Sequence, residues 1–326
     1  MTTPIPHWPG RMITLLGGEK VWVAGPPATG TGSTGTGGGA ASGRELVLCV
    51  HGMSGAATNW TDLMAELAPD FDCVAVDLPG SGVSPPPKTG SGYSITAHAA
   101  IVARLIEALD AGPVHLVGNS MGGAVAVRVA ARRPDLVRTL SLISPALPDR
   151  KFRGSVAHFP VLALPFLGEW IIRHYTARYP VENRVSGVFA TCFYDPARVH
   201  PDRFALEVEA LRRRDELSYE ATSLARAART LVLETLRPRT WSLWREAGEV
   251  TAPSLVVFGS HDRLVDPRLS ARAASTFHDA LVAVLPETGH LAQMERPALV
   301  AALFREMVDG TRARGEAIPE ATQVPG

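Results

Sequence analysis

From residue 46 onward, short uninterrupted apolar runs alternate with stretches in which apolar positions recur every three to four residues. A strand covered on both faces produces the first pattern and an amphipathic helix the second, so the alternation predicts a parallel α/β sheet. Residues 46–50, 73–78, 114–117 and 140–143 read as strands. Residues 59–67, 95–109 and 124–133 read as helices, the last stopped by Pro134. The strand rhythm resumes at 254–258 and 281–285, with helices over 268–277 and 297–312, the second opened by Pro297. Ahead of the sheet, 12–16 and 21–24 flank Gly17-Gly18 as a β-hairpin.

The rhythm breaks between residues 149 and 244, an Arg-rich stretch of helical pattern without a buried strand. A helical insertion between two strands of one core is expected: core over 1–148 and 245–314, insertion over 149–244, and a frayed tail over 315–326. Residues 25–43, dominated by Gly, Thr and Ser, cannot bury enough surface to order themselves and read as a flexible loop. A phosphate cradle is the other reading of that loop, but no Lys-Ser or Lys-Thr follows its glycines.

Apolar residues at 46% and charged residues at 20% are ordinary for a folded soluble chain. The formal net charge of +0 supplies no overall pull toward nucleic acid or an anionic membrane, so a neutral or apolar small molecule is the expected partner. Cys49, Cys73 and Cys192 form no C-x-x-C pair, which makes a zinc site or a disulfide framework unexpected, and no metal or organic cofactor is implied. The N-terminal segment has no basic stretch followed by an apolar one, so cytoplasmic residence is expected. The longest apolar stretch, 156–172, is broken by Pro160, Pro165 and Glu169, which argues against an integral membrane segment and leaves it to lie on a bilayer or line an apolar pocket.

The strongest chemical signal is Gly118-Asn119-Ser120-Met121-Gly122, between a predicted strand and a predicted helix. Glycines two before and two after the serine suit a nucleophile elbow, a turn too tight for side chains there. A serine hydroxyl is a weak nucleophile at neutral pH, so it needs a base and an acid to orient that base. In this arrangement the order is Ser, then acid, then His. Asp262 follows the strand at 254–258 and His290 follows the last strand, giving Ser120 as nucleophile, His290 as base and Asp262 as orienter. Asp266 competes for the acid role, and His261 reads as structural. Oxyanion donors are expected from the backbone N–H of Met121 and from the loop His51-Gly52-Met53-Ser54-Gly55, with Met53 the chosen donor and His51 shaping the loop.

These motifs, with Asp77-Leu78-Pro79-Gly80-Ser81-Gly82-Val83-Ser84 and Gly289-His290, resemble the α/β-hydrolase superfamily over roughly residues 12–312. The resemblance implies a mostly parallel eight-stranded sheet flanked by helices, an inserted helical cap, and an active site between core and cap. An elbow serine argues against dehalogenases and epoxide hydrolases, whose nucleophile is an aspartate, and fits esterases and lipases acting on a small ester or acyl substrate. The segments 118–123 and 289–295 are also similar to hydrolases that cleave carbon-carbon bonds of ring-cleavage diketones, although Met53-Ser54-Gly55 and Leu291 stand where those carry Gly-Pro-Gly and a tryptophan. Cofactor-free haloperoxidase-like members share the triad, and a small-ligand binding protein on the same fold is the non-enzymatic alternative.

Overall fold

Alternation along a single strand divides the interior into two layers. In β3 (Leu46–Val50), Leu46, Leu48 and Val50 join one apolar cluster while Val47 and Cys49 join the other, because successive side chains leave a strand on opposite faces. Parallel neighbours and helices on both faces bury all five residues. The computed structural model describes residues 7–26, 43–149 and 158–313. Most of the glycine-rich segment 25–43, residues 150–157 of the insertion and the tail 315–326 lie outside the described residues.

The hairpin forms as its pattern predicts: β1 (Gly10–Thr14) pairs antiparallel with β2 (Lys20–Ala24), and Gly17 and Gly18 turn the chain with φ of 100° and 80°. β2 in turn lies antiparallel to β4 (Asp72–Asp77). From there β3, β5 (Val114–Asn119), β6 (Val137–Ile143), β7 (Ser254–Gly259) and β8 (Ala280–Leu285) run parallel, completing an eight-stranded sheet in the order β1-β2-β4-β3-β5-β6-β7-β8. The chain leaves β3 toward β4 on one side and returns to β5 on the other. That reversal opens a crevice at the carboxyl ends of β3 and β5, where sheets of this kind place ligands.

On one face lie α1 (Thr61–Leu67) and α12 (Pro297–Ala313), packed through Trp60, Met64 and Phe304. The other face carries α2 (Ile95–Leu109) and α3 (Met121–Arg132). Between β6 and β7 stand α4 (Phe159–Leu162), α5 (Leu167–Arg178), α6 (Val181–Cys192), α7 (Pro201–Asp215), α8 (Glu220–Leu236) and α9 (Leu243–Ala247). α9 straddles the expected boundary at 244/245 and packs Leu243, Trp244 and Ala247 into the sheet's cluster. Two further helices, α10 (Leu269–Thr276) and α11 (Ala292–Glu295), follow β7 and β8. No helix among the described residues is long and apolar enough to cross a membrane.

One difference from the sequence pattern bears on the site. α3 begins at Met121, three residues ahead of the apolar periodicity, because Gly122 and Gly123 are helical despite their poor propensity. A Cβ on Gly122 would stand 2.1 Å from the Val50 carbonyl oxygen, so close packing of α3 on β3 excludes every other residue.

Candidate active site

Ser120 occupies the turn between β5 and α3 with φ 52° and ψ −117°, a backbone region that L residues adopt only under constraint. The constraint is visible. Its N–H donates to Ile143 O at 3.0 Å, and its carbonyl accepts from Ala124 N at 3.1 Å and Ala146 N at 2.9 Å. A Cβ on Gly118 would meet Gly122 O at 2.5 Å, so both flanking glycines are steric requirements of the turn. Asn119 locks the elbow further by donating Nδ2 to Ile143 O at 3.0 Å and to His290 O at 3.2 Å.

Asp262 and His290 are brought into direct contact, His290 Nδ1 lying 2.8 Å from Asp262 Oδ2. The other Asp262 oxygen accepts from Leu264 N at 2.8 Å and Val265 N at 2.9 Å. Burial pushes this carboxyl up, but the His290 ring, the Val265 N–H and the neighbouring Ser144 hydroxyl outweigh it and hold Asp262 below the usual carboxylate range. A carboxylate on Nδ1 assigns the proton to that nitrogen and leaves Nε2 as an acceptor. Ser120 and His290 line the same cavity, with no hydrogen bond between hydroxyl and ring among the described residues. Catalytic contacts of this type commonly close only around a substrate.

The other candidates separate cleanly. Asp266 binds the guanidinium of Arg268, with Nε 3.0 Å from both carboxylate oxygens. His261 is exposed, its Nδ1 2.8 Å from the Ser260 hydroxyl and its ring against Tyr194. His51 is buried between two backbone groups: Nδ1 donates to Gly52 O at 2.7 Å and Nε2 accepts from Leu78 N at 3.0 Å. Accepting from Leu78 N requires an unprotonated Nε2 and so the neutral ring, and burial lowers its pKa to about 4. The loop it shapes passes beside the elbow, where a Cβ on Gly52 would lie 3.0 Å from Ser120 Cβ. Met53 lines the cavity from that loop, and Met121 is the first residue of α3, where backbone N–H groups lack helical acceptors.

Three further residues support the site. Glu295, five residues after His290, accepts from Gly289 N at 2.7 Å and Tyr194 N at 3.0 Å, joining the histidine loop to the end of α6. Its place in the segment 289–295 is the only sequence signal for it. Arg214 of α7 donates to Ser54 O at 2.7 Å and steadies the loop carrying Met53. Asp77 accepts from Ala57 N at 2.6 Å and Val83 N at 2.7 Å, and burial raises its pKa to about 6 against those bonds.

The cavity measures about 1410 Å³, above the about 300–1,000 Å³ of common small-molecule sites. Ser120, His290, Met53 and Leu291 line it. Phe159, Leu162, Ile172, Val185, Leu224 and Leu231 bring apolar side chains from the helices between β6 and β7, while Arg184, Arg214, Asp215 and Glu220 bring charge. Arg184 forks onto Asp215, with Nη1 2.9 Å from Oδ1 and a second close contact from Nη2 to Oδ2.

A family model described as alpha/beta hydrolase fold matches residues 45–297. The 2-hydroxy-6-oxononadienedioate/2-hydroxy-6-oxononatrienedioate hydrolase of Cupriavidus pinatubonensis is 30% identical over 277 residues, covering 82% of this chain and 86% of that one. Among solved structures, the 2-hydroxy-6-oxo-6-phenylhexa-2,4-dienoate hydrolase of a Rhodococcus species superposes with a TM-score of 0.68 at 22% identity, covering 92% of this chain and 100% of the other. Naproxen esterase of Bacillus subtilis superposes with a TM-score of 0.66 at 19% identity, covering 94% and 93%.

Proposed function

The chain belongs to the α/β-hydrolase fold family, and we propose that within it the protein is a serine hydrolase that cleaves a carboxylic ester of a small, largely apolar substrate. The observation that carries this reading is the Asp262–His290 bond, which presents a basic Nε2 to the cavity that Ser120 also faces. In the proposed reaction Nε2 of His290 takes the Ser120 proton as the hydroxyl oxygen attacks the ester carbonyl. The carbonyl electrons move to an oxyanion held by the N–H groups of Met53 and Met121. His290 then protonates the leaving alcohol, and water repeats the sequence on the acyl-enzyme. The helices between β6 and β7 act as the cap, their apolar side chains holding the acyl part.

A second reading has its own support. The Cupriavidus relative bears the name of a carbon-carbon bond hydrolase, and the charged side chains in the cavity suit a more polar substrate than a simple ester. Turnover of short p-nitrophenyl esters measured beside a vinylogous diketone separates the two. Faster ester cleavage, lost in Ser120→Ala together with fluorophosphonate labelling, supports the esterase. Faster diketone cleavage selects the second reading, and labelling that persists in Ser120→Ala removes the serine from both.

A further inference from the structure

The helix α5 is amphipathic in the wrong sense for a helix that covers a core. At 3.6 residues per turn, Phe166, Trp170 and Arg173 fall on one face, while Gly168 and Ile172, its buried residues, fall on the opposite one. That outer face is open: Phe166 is 87% exposed and Trp170 62% exposed, with Leu164 and Leu167 exposed beside them. Phe166 holds φ 63° at the start of the helix, a conformation that would suit glycine, so neither packing nor backbone preference accounts for an aromatic there. α8 packs against α4 and α5 and exposes Leu233 and Leu236 one turn apart. Exposed apolar surface concentrated on one structural unit marks an interaction site.

The charge around this face is as uneven as the hydropathy. Arg173 and Arg178 are exposed, and neither makes an ion pair among the described residues. By contrast Arg132, Arg212, Arg245 and Arg312, also exposed, are each set against a carboxylate. The single acid between residues 158 and 179, Glu169, is half-buried and lies 3.7 Å from Arg229. An aromatic and aliphatic stripe ending in unpaired arginines is the chemistry that enters the headgroup region of an anionic bilayer. The chain's net neutrality conceals this, because the charge imbalance is local.

We propose that α4 and α5 form a membrane-docking surface: Phe166, Leu167 and Trp170 enter the interface of an anionic phospholipid bilayer while Arg173 and Arg178 pair with its phosphates. The inner side of the same pair of helices lines the cavity through Phe159, Leu162 and Ile172, so docking sets the cavity's roof on the bilayer. The docking does not depend on which bond Ser120 attacks.

The test is sedimentation of the full chain with phosphatidylcholine vesicles, with and without phosphatidylglycerol, at low and high salt. Binding is expected to vesicles containing phosphatidylglycerol, weakened by salt. Phe166→Ser with Trp170→Ser should lower the partition coefficient about tenfold or more, with an unchanged melting temperature showing an intact fold. Arg173→Gln and Arg178→Gln should each cost about fivefold, on anionic vesicles alone. Failure to sediment with either vesicle overturns the proposal. So does a concentration-dependent dimer that Phe166→Ser with Trp170→Ser disperses in the absence of vesicle binding, since the face would then belong to a second copy of the chain.

Discussion

His290 Nδ1 and Asp262 Oδ2 stand 2.8 Å apart in a buried site, and the second Asp262 oxygen is already engaged by the N–H groups of Leu264 and Val265. The aspartate therefore has a fixed direction. On the proposed mechanism its task is to hold the proton on Nδ1, and an amide in its place would let the ring adopt the tautomer that blunts Nε2. Asp262→Asn should lower kcat by about 10³–10⁴-fold with little change in KM. Steady-state kinetics on a short ester measure this, and a variant within a few-fold of the parent would remove Asp262 from the machinery.

The glycines of the elbow can be tested against a glycine that has room. A Cβ on Gly122 would meet Val50 O at 2.1 Å and His51 O at 2.5 Å, and neither carbonyl can move without parting α3 from β3. Gly187, within α6, has nothing within 4 Å of the same added atom. Gly122→Ala should cost about 2 kcal/mol or more and lower activity by shifting Ser120, by analogy with overpacked cores. Gly187→Ala should stabilise by about 0.5–1 kcal/mol, the difference in helix propensity. Chemical denaturation gives both numbers, and equal effects at the two positions would refute the steric account.

The same steric logic explains what was legible in the sequence. Gly118 and Gly122 show in the chain because the turn admits nothing else, and Asp262 and His290 show because each follows a strand in the required order. The mostly parallel sheet shows because double-sided burial writes continuous apolar runs such as 46–50. Long-range polar contacts leave no such trace. Asn119 reaches His290 O across 171 residues, and Arg214 reaches Ser54 O across 160. Arg128, an arginine amid small residues in α3, gives no local sign that its partners lie on α8 and α9.

Buried histidines give stability a pH dependence of definite sign. Burial lowers the pKa of His7 to about 4, aided by the charges of Arg203 and Arg213, and that of His51 also to about 4. For His98, burial and then the neighbouring His51 lower it to about 3, and neither ring nitrogen has a hydrogen-bond partner among the described residues. With unfolded values of about 6.5, these three sites bind more protons in the unfolded chain below that pH, so their contribution to stability falls as pH drops from about 6.5 toward 4. Asp77, raised to about 6 by burial, acts in the opposite sense between its unfolded value of about 4 and pH 6, and Asp62, Glu207 and Glu220, also raised by burial, act with it, so the histidine contribution is read by removing one histidine. His98→Leu should flatten the slope by about one proton in that window. Denaturant midpoints across the range measure it, and an unchanged slope would contradict the assignment.

Arg128 is fully buried on the helix that begins at the elbow, and it spends its whole guanidinium on carboxylates and a hydroxyl. Nε lies 2.8 Å from Glu246 Oε2, while Nη1 and Nη2 lie 2.9 and 3.1 Å from the two oxygens of Glu234. Nη1 also donates to Thr96 Oγ1 at 3.1 Å. The cluster ties α3 to α2, α8 and α9, so it joins the helix behind Ser120 to the last long helix of the insertion. Removing the cation leaves Glu234 with Arg237 at 3.3 Å and Glu246 with Arg132 at 2.7 Å, both partners nearer the surface. Arg128→Met should therefore cost about 3–5 kcal/mol, the usual result of breaking a buried pair from one side. Arg128→Lys keeps the charge but cannot fork onto two carboxylates, and should fall between the two. Adding Glu234→Leu and Glu246→Leu to Arg128→Met removes the stranded carboxylates and should recover much of the loss. Thermal and denaturant unfolding of the four proteins test the series. A loss below about 1 kcal/mol in Arg128→Met would show that the ion cluster does not hold α3 against α8.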